Sequence, residues 1–373
     1  MTGPSFVEPR YGGLGLNNLL PSVAARLTGE TPAIALPAAR RYVVLLVDGL
    51  GWHQLADYAD HAETMAAHLA RAERLTCGVP STTAASLTSL GCGLPPGEHG
   101  VVGYSFREPS VDRVLNALTW EGGPDDVMGF AQARTVFERL GAVGVPSAAV
   151  TLGRFASSAL TRLAFAGTTL VPVTEEGGIE HVGALVDEAL AHSRVVYCYE
   201  RMLDHTGHGF GVGSWQWLER LGQVDDLVAR LEETLPDDAC LLVTGDHGMI
   251  NVPAESRVTV EDESRLGGHT ALGGEPRFRH VYGDDPRALG WAWSSVLGER
   301  ALVLRREEAI EAGWFGPLVT DLSAARLGDV VAAMTEDFAV MTNRTPREFG
   351  LVGMHGSLTP AEMEVPLLVV GGA

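Results

Sequence analysis

The chain has no lysine: all 27 of its basic residues are arginine. Schiff-base chemistry and the phosphate-binding lysine of a Walker loop are therefore excluded. The four cysteines, Cys77, Cys92, Cys198 and Cys240, are too few for a disulfide framework, and no C-x-x-C pair of the zinc-ribbon kind occurs. Reduced thiols are expected. No apolar run approaches the roughly 20 residues needed to span a bilayer, and Met1 to Gly13 lacks a basic start followed by an apolar stretch. A soluble, cytoplasmic chain without a membrane partner is the expectation. Positive charge is also scarce, with 47 acidic against 27 basic residues and a formal net charge of −20. A surface that tracks a nucleic-acid polymer is not expected on such a chain.

What is abundant is apolar sequence: 46% of 373 positions are hydrophobic, enough for a large core. Runs of β-branched character recur at Tyr42 to Val47, Ala148 to Thr151, Val195 to Tyr199, Cys240 to Thr244 and Pro366 to Val370. Such runs read as buried parallel strands. Between two of them, Leu218, Leu221, Val224, Val228, Leu231 and Leu235 recur at three- and four-residue steps, predicting a helix from about Ser214 to Leu235 with Ser214 as cap and Pro236 beyond its end. This alternation predicts an α/β fold with one central, mostly parallel sheet. From about residue 251 to residue 350 the rhythm breaks, with Ala301 to Leu304 the clearest strand candidate. We read that segment as a cap or insertion within a single domain spanning residues 1–373.

Acids and histidines cluster where strands should end. Val43 to Val47 leads into Asp48 and small residues, and Leu241 to Thr244 leads into Asp246-His247-Gly-Met. Sites in open parallel sheets form at such carboxyl ends. Asp204 and His208 are four apart, which puts them on one face of a helical turn; His205 would point away from that face. His355 precedes the last apolar run. Together these three carboxylates and three histidines can build two N/O-coordinated cation sites of the kind zinc accepts. Pro80-Ser81-Thr82-Thr83 followed by an apolar run reads as a helix N-terminus, where ordinary capping by Ser81 or Thr82 competes with a functional role.

The order Asp48, Pro80-Ser-Thr-Thr83, Asp204-x-x-x-His208, Asp246-His247-Gly-Met and His355-Gly resembles the alkaline phosphatase superfamily, and within it the nucleotide pyrophosphatase/phosphodiesterase family. The segment Gly93-Leu-Pro-Pro-Gly-Glu-His99-Gly100 is similar to one that follows the nucleophile helix in that family. The resemblance implies a three-layer alkaline-phosphatase-like core and a threonine nucleophile at Thr83, with Thr82 the adjacent alternative. It also implies two Zn2+ ions, with Mn2+ or another divalent ion as alternatives: one on Asp204, His208 and His355, the other on Asp48, Asp246, His247 and the Thr83 oxygen. The implied reaction is hydrolysis of a small phosphate ester or nucleotide through a phosphothreonine. A phosphomonoesterase or phosphonate hydrolase using the same site is the alternative, and a protein that binds cations only structurally is a third. The Asn that members usually place after the His-Gly has no counterpart in His99-Gly-Val-Val-Gly-Tyr104. Tyr104 is the nearest match, with Arg107 or a backbone N–H as other candidates for the phosphoryl oxygen, and Arg107 or an arginine of the insertion would help the two cations attract substrate phosphate.

Overall fold

The apolar runs become strands of one sheet in the computed structural model, which describes residues 6–130, 132–174 and 177–372. In chain order the strands are β1 (Arg41–Val47), β2 (Glu73–Thr76), β3 (Ser147–Leu152), β4 (Thr169–Val173), β5 (Val195–Glu200) and β6 (Ala239–Gly245). The insertion supplies β7 (Ala271–Glu275), β8 (Phe278–Tyr282), β9 (Ala301–Arg305) and β10 (Val330–Met334), and β11 (Glu364–Gly371) returns to the main sheet. The seven-stranded order is β2-β11-β6-β1-β5-β3-β4. Only β11 runs against the rest, pairing antiparallel with both β2 and β6.

Continuous apolarity has a direct structural cause. Tyr42, Val44 and Leu46 of β1 enter one hydrophobic core, and Val43, Leu45 and Val47 enter a second on the opposite face. A strand covered on both faces needs no polar alternation. Each such aliphatic side chain contributes roughly 1.5–3 kcal/mol on burial, so β1 anchors both layers. β2 and β4 were not legible as strands. Both lie at the sheet's edges, where Glu73-Arg74 and Pro172 are tolerated because one side is unpaired.

Among the helices are α1 (Thr83–Cys92), α2 (Met202–Phe210), α3 (Trp215–Thr234) and α4 (Pro286–Leu297). α3 follows its sequence pattern: Ser214 caps it by accepting the Trp217 N–H at 3.3 Å, and Leu221, Val224, Val228 and Leu231 are buried. Among the described residues no helix is long and apolar enough to cross a membrane. All four cysteines are free and buried.

The insertion folds into a four-stranded antiparallel sheet, β7-β8-β10-β9. Trp293 and Leu297 of α4 pack against Val281, Val330 and Ala332 in an apolar cluster of their own. Phe278, Val331 and Ala333 point the other way, into the main core. Two buried ion pairs join the parts: Arg277 with Glu362 at 2.6 Å and Arg326 with Glu108 at 2.7 Å. Of the insertion's strands only β9 was read from sequence: Ala271-Leu-Gly-Gly-Glu275 and Phe278-Arg-His-Val-Tyr282 bury arginine, glutamate and histidine in place of an apolar run, whereas β10 is an apolar run, Val330-Val-Ala-Ala-Met334, that sequence reading passed over.

Two buried histidines lock this arrangement. The Val101 N–H donates to His99 Nδ1 at 3.1 Å, so Nε2 carries the proton and donates to Ser89 Oγ of α1 at 2.9 Å. His280 likewise accepts from Gly328 N at 3.1 Å and donates to the Val102 carbonyl at 2.9 Å. Burial pushes their pKa values down, to about 3 for His99 and about 4 for His280. In the unfolded chain both titrate near 6.5. Their contribution is therefore full above that value and is lost as the pH falls toward the folded values, because only the unfolded state then takes up the protons. The wild type's margin of stability over His99→Gln should narrow steadily when denaturation is measured from pH 7 down to pH 4.

Candidate metal centre and active site

Parallel register brings the acids together. Val47 pairs with Glu200 of β5 on one side and Gly245 of β6 on the other. Asp48 and Asp246 thus emerge side by side, and α2 begins just beyond β5 with Asp204 in its first turn. Gly49 adopts φ +76°, and a Cβ there would lie 3.0 Å from the Asp204 backbone, so only glycine permits this approach. The Gly49 and His247 N–H groups donate to Asp246 Oδ1 at 3.1 and 3.0 Å. Asp246 Oδ2 is left without a partner, as is Asp204 Oδ1. The Tyr199 hydroxyl donates to Asp48 Oδ2.

The histidines are oriented alike. The Nδ1 atoms of His208, His247 and His355 face the carbonyls of Gly353, Gly248 and Ser81 at 2.8, 3.0 and 2.8 Å. Each Nδ1 must then carry the proton, and each Nε2 offers a lone pair. Backbone carbonyls commonly fix metal-binding histidines in this tautomer. His208 Nε2 lies 3.4 Å from Asp204 Oδ2, on the same face of α2, while His205 is exposed. His247 stacks on His355 with ring centres 3.7 Å apart, and His208 lies 5.1 Å from His355.

Two groups have all their ligand atoms within 4.8 Å of one another: Asp48, Asp246 and His247, and Asp204, His247 and His355. The six residues singled out from sequence are thus one cluster. His247 reaches both groups, whereas His208 stands at the margin of the second, on Asp204. Oxygen and imidazole donors in this number suit zinc or manganese, and the two orphaned carboxylate oxygens are what a cation would complete. The cluster is electrostatically costly as it stands. Burial, then the charges of Asp246 and Asp204, hold the Asp48 carboxyl well above its ordinary range. Burial raises Asp246 too, and burial with its histidine neighbours pushes His355 well down. A bound divalent cation reverses both tendencies.

Thr83 is the first residue of α1. Neither neighbouring hydroxyl caps the helix: Ser81 Oγ donates to the Ser357 carbonyl at 2.6 Å, and the Thr82 side chain, close to Glu275, makes no capping bond. Thr83 Oγ1 instead lies 3.1 Å from His247 Nε2 and 3.4 Å from Asp48 Oδ1. Of the two threonines, Thr83 faces the acids and histidines.

A cavity of about 390 Å3 opens beside them. Leu87, Leu118, Phe155, Leu160 and Phe165 give it an apolar wall. Tyr104 lines it, close to Asn116. Arg107 does not: its side chain leaves the outer side of a hairpin (Ser105–Glu108 with Arg113–Asn116) and pairs with the exposed Asp112. The arginine that lines the cavity is Arg347, from the insertion. Trp217 is buried in the core and Trp215 is exposed, so neither walls the cavity. Sequence reading missed Tyr199, Glu275 and Glu348. Only Tyr199, at the end of a recognised strand, carried a usable signal.

A mostly parallel sheet that gathers acids and histidines beside a helix-terminal threonine is the architecture of the alkaline phosphatase superfamily, whose members here are metal-dependent hydrolases. Residues 42–358 match the model of the type I phosphodiesterase / nucleotide pyrophosphatase family, and the chain belongs to that family of enzymes acting on phosphodiester and pyrophosphate bonds. No curated protein sequence matches. Among solved structures, murine ectonucleotide pyrophosphatase / phosphodiesterase 5 superposes with a TM-score of 0.70 at 18% identity, covering 89% of this chain and 88% of that one. The same murine protein, as an inactive threonine-to-alanine variant in complex with AMP, gives 0.68 at 19% identity over 90% and 88%. Phosphonoacetate hydrolase from Sinorhizobium meliloti 1021, in complex with phosphonoacetate, gives 0.66 at 20% identity over 91% and 92%.

Proposed function

We propose that this chain is a phosphodiesterase or nucleotide pyrophosphatase that cleaves small phosphate diesters through a phosphothreonine at Thr83, with two divalent cations, zinc or manganese, as cofactors. The observation that carries the reading is the Thr83 hydroxyl at the start of α1, within 3.4 Å of both Asp48 and His247 and beside the partnerless oxygens of Asp246 and Asp204. Asp48, Asp246 and His247 would hold one cation, and Asp204, His208 and His355 the other. Such a pair supplies Lewis acidity and neutralises charge on the attacking and leaving oxygens.

The chain's own groups do the rest. Thr83 Oγ1 gives up its proton to solvent water and bonds to phosphorus as the ester bond to the leaving group breaks, and the leaving oxygen departs with the electron pair and takes a proton from solvent. Free N–H groups and the dipole at the start of α1 favour the anionic Thr83 oxygen. Water then attacks the phosphothreonine, and Thr83 recovers its hydroxyl. Tyr104 and Arg347 are the donors available to non-bridging phosphoryl oxygens, since Arg107 is held on Asp112. In this reading residues 251–350 serve as a cap, contributing Glu275, Arg347 and Glu348 to the cavity.

The apolar wall bears on the substrate. A phosphonate hydrolase or phosphomonoesterase could use the same residues, but a small polyanion has no use for Leu87, Leu118, Phe155, Leu160 and Phe165. A diester with an apolar or planar substituent does. The inactive threonine-to-alanine variant of the murine relative, with its AMP, also supports a threonine nucleophile and a nucleotide-sized ligand. The test is turnover of bis(p-nitrophenyl) phosphate against p-nitrophenyl phosphate with added Zn2+ or Mn2+. The diester should be favoured in kcat/KM; a monoester preference of about a hundredfold or more would transfer the chain to the phosphomonoesterases.

A further inference from the structure

We propose that Glu275, with Glu348 on the same lining, selects phosphodiesters whose ester group carries hydrogen-bond donors, either hydroxyls or a primary ammonium. This deepens the phosphodiesterase reading and rests on it. Both glutamates line the cavity, and both are buried, Glu275 at 5% and Glu348 at 8% exposure. Neither belongs to the two acid and histidine groups suited to cations. In each, Oε1 has no hydrogen-bond partner. Buried acceptors without donors are rare because they forfeit water and gain nothing in return.

The surroundings explain what each lacks. Glu348 Oε2 receives Arg279 Nη2 at 2.5 Å, which leaves Oε1 unserved. The Glu275 carboxyl lies close to Thr82, whose neighbour is Thr83. His355 Nδ1 is 3.9 Å from Glu275 Oε2, but its proton is directed to the Ser81 carbonyl at 2.8 Å. The fold also keeps room for this carboxyl. Gly356 sits at φ +133°, and a Cβ there would fall 2.6 Å from Glu275 Cγ. A buried acceptor without a donor, on the lining shared with the candidate nucleophile, suits a donor that arrives with the substrate. A glycerol-like or ribose-like hydroxyl and an ethanolamine-like ammonium share that chemistry; an unadorned alkyl group and a quaternary ammonium do not. An apolar wall near these acceptors would then take the remainder of the ligand.

The experiment compares p-nitrophenyl phosphodiesters of ethanol, ethylene glycol, ethanolamine and choline on the metal-loaded full chain. Wild-type kcat/KM should be at least about tenfold higher for the glycol and ethanolamine esters than for the ethyl ester, with the choline ester close to ethyl. In Glu275→Met, which removes the acceptor, the donor-to-ethyl ratio should collapse to within about twofold, and Glu275→Gln, which keeps one acceptor oxygen, should fall between. The ratio cancels any general loss through His355. Equal rates for ethyl and donor-bearing esters in the wild type, or a tenfold ratio surviving in Glu275→Met, would overturn this inference alone. A choline ester as fast as the ethanolamine ester would overturn it in favour of simple charge attraction. Hydrolysis of monoesters with none of the diesters turned over would overturn the phosphodiesterase reading, and this inference with it.

Discussion

Thr83→Ala should lower kcat on a chromogenic phosphodiester by at least about three orders of magnitude, because it removes the covalent route and leaves only binding and charge stabilisation. The loss should appear in kcat and kcat/KM alike, since the Thr83 oxygen forms its new bond only on the way to the transition state. Thr83→Ser, which keeps an oxygen on the same carbon, should recover part of the rate. Thr82→Ala should cost far less, because it is the Thr83 oxygen that lies within 3.4 Å of Asp48 and 3.1 Å of His247. Acid quenching of the wild type during turnover, followed by peptide mass analysis, should find a phosphoryl group on Thr83. Full activity in Thr83→Ala would end the covalent mechanism.

Removal of divalent cations by a chelator should abolish turnover to a similar degree, about a thousandfold or more, with recovery on adding Zn2+ or Mn2+. The physical ground is the set of buried Asp48 and Asp246 with half-buried Asp204, whose mutual repulsion nothing in the chain relieves as well as a cation would. Loading should also raise the melting temperature. A ligand that binds only the folded state at a thousand times its Kd adds about 4 kcal/mol. Asp204→Asn should reduce bound metal, measured by elemental analysis, and activity should fall with it. Unchanged activity after exhaustive chelation would exclude the proposed cofactor role.

How much of this was legible before the fold was seen depended on the kind of residue. Asp48 and Asp246 could be found because a parallel strand covered on both faces must be apolar along its length, so the first acid after such a run stands out. Asp204 and His208 could be found from four-residue spacing, which α2 realises. β2 and β4 could not, since edge strands need not be apolar. The role of His247 at the junction of two ligand groups was equally hidden, because it depends on a ring stack with His355, more than 100 residues away. Arg107 looked suitable by nearness in the chain, yet a salt bridge across its own hairpin turns it outward.

Local pattern alone therefore settled the α/β class with its mostly parallel sheet, the Ser214 cap of α3 and the presence of an acid and histidine set, since those follow from periodicity and from what strand ends must do, whereas the expected cap of α1 by Ser81 or Thr82 did not form. Tertiary packing alone decided which threonine faces that set, that Arg347 replaces Arg107 on the cavity lining, and that Glu275 and Glu348 reach it with an oxygen to spare. The reason is directional. A side chain's aim depends on the register of its strand and on the contacts of a segment inserted far along the chain, and no short window of sequence records either.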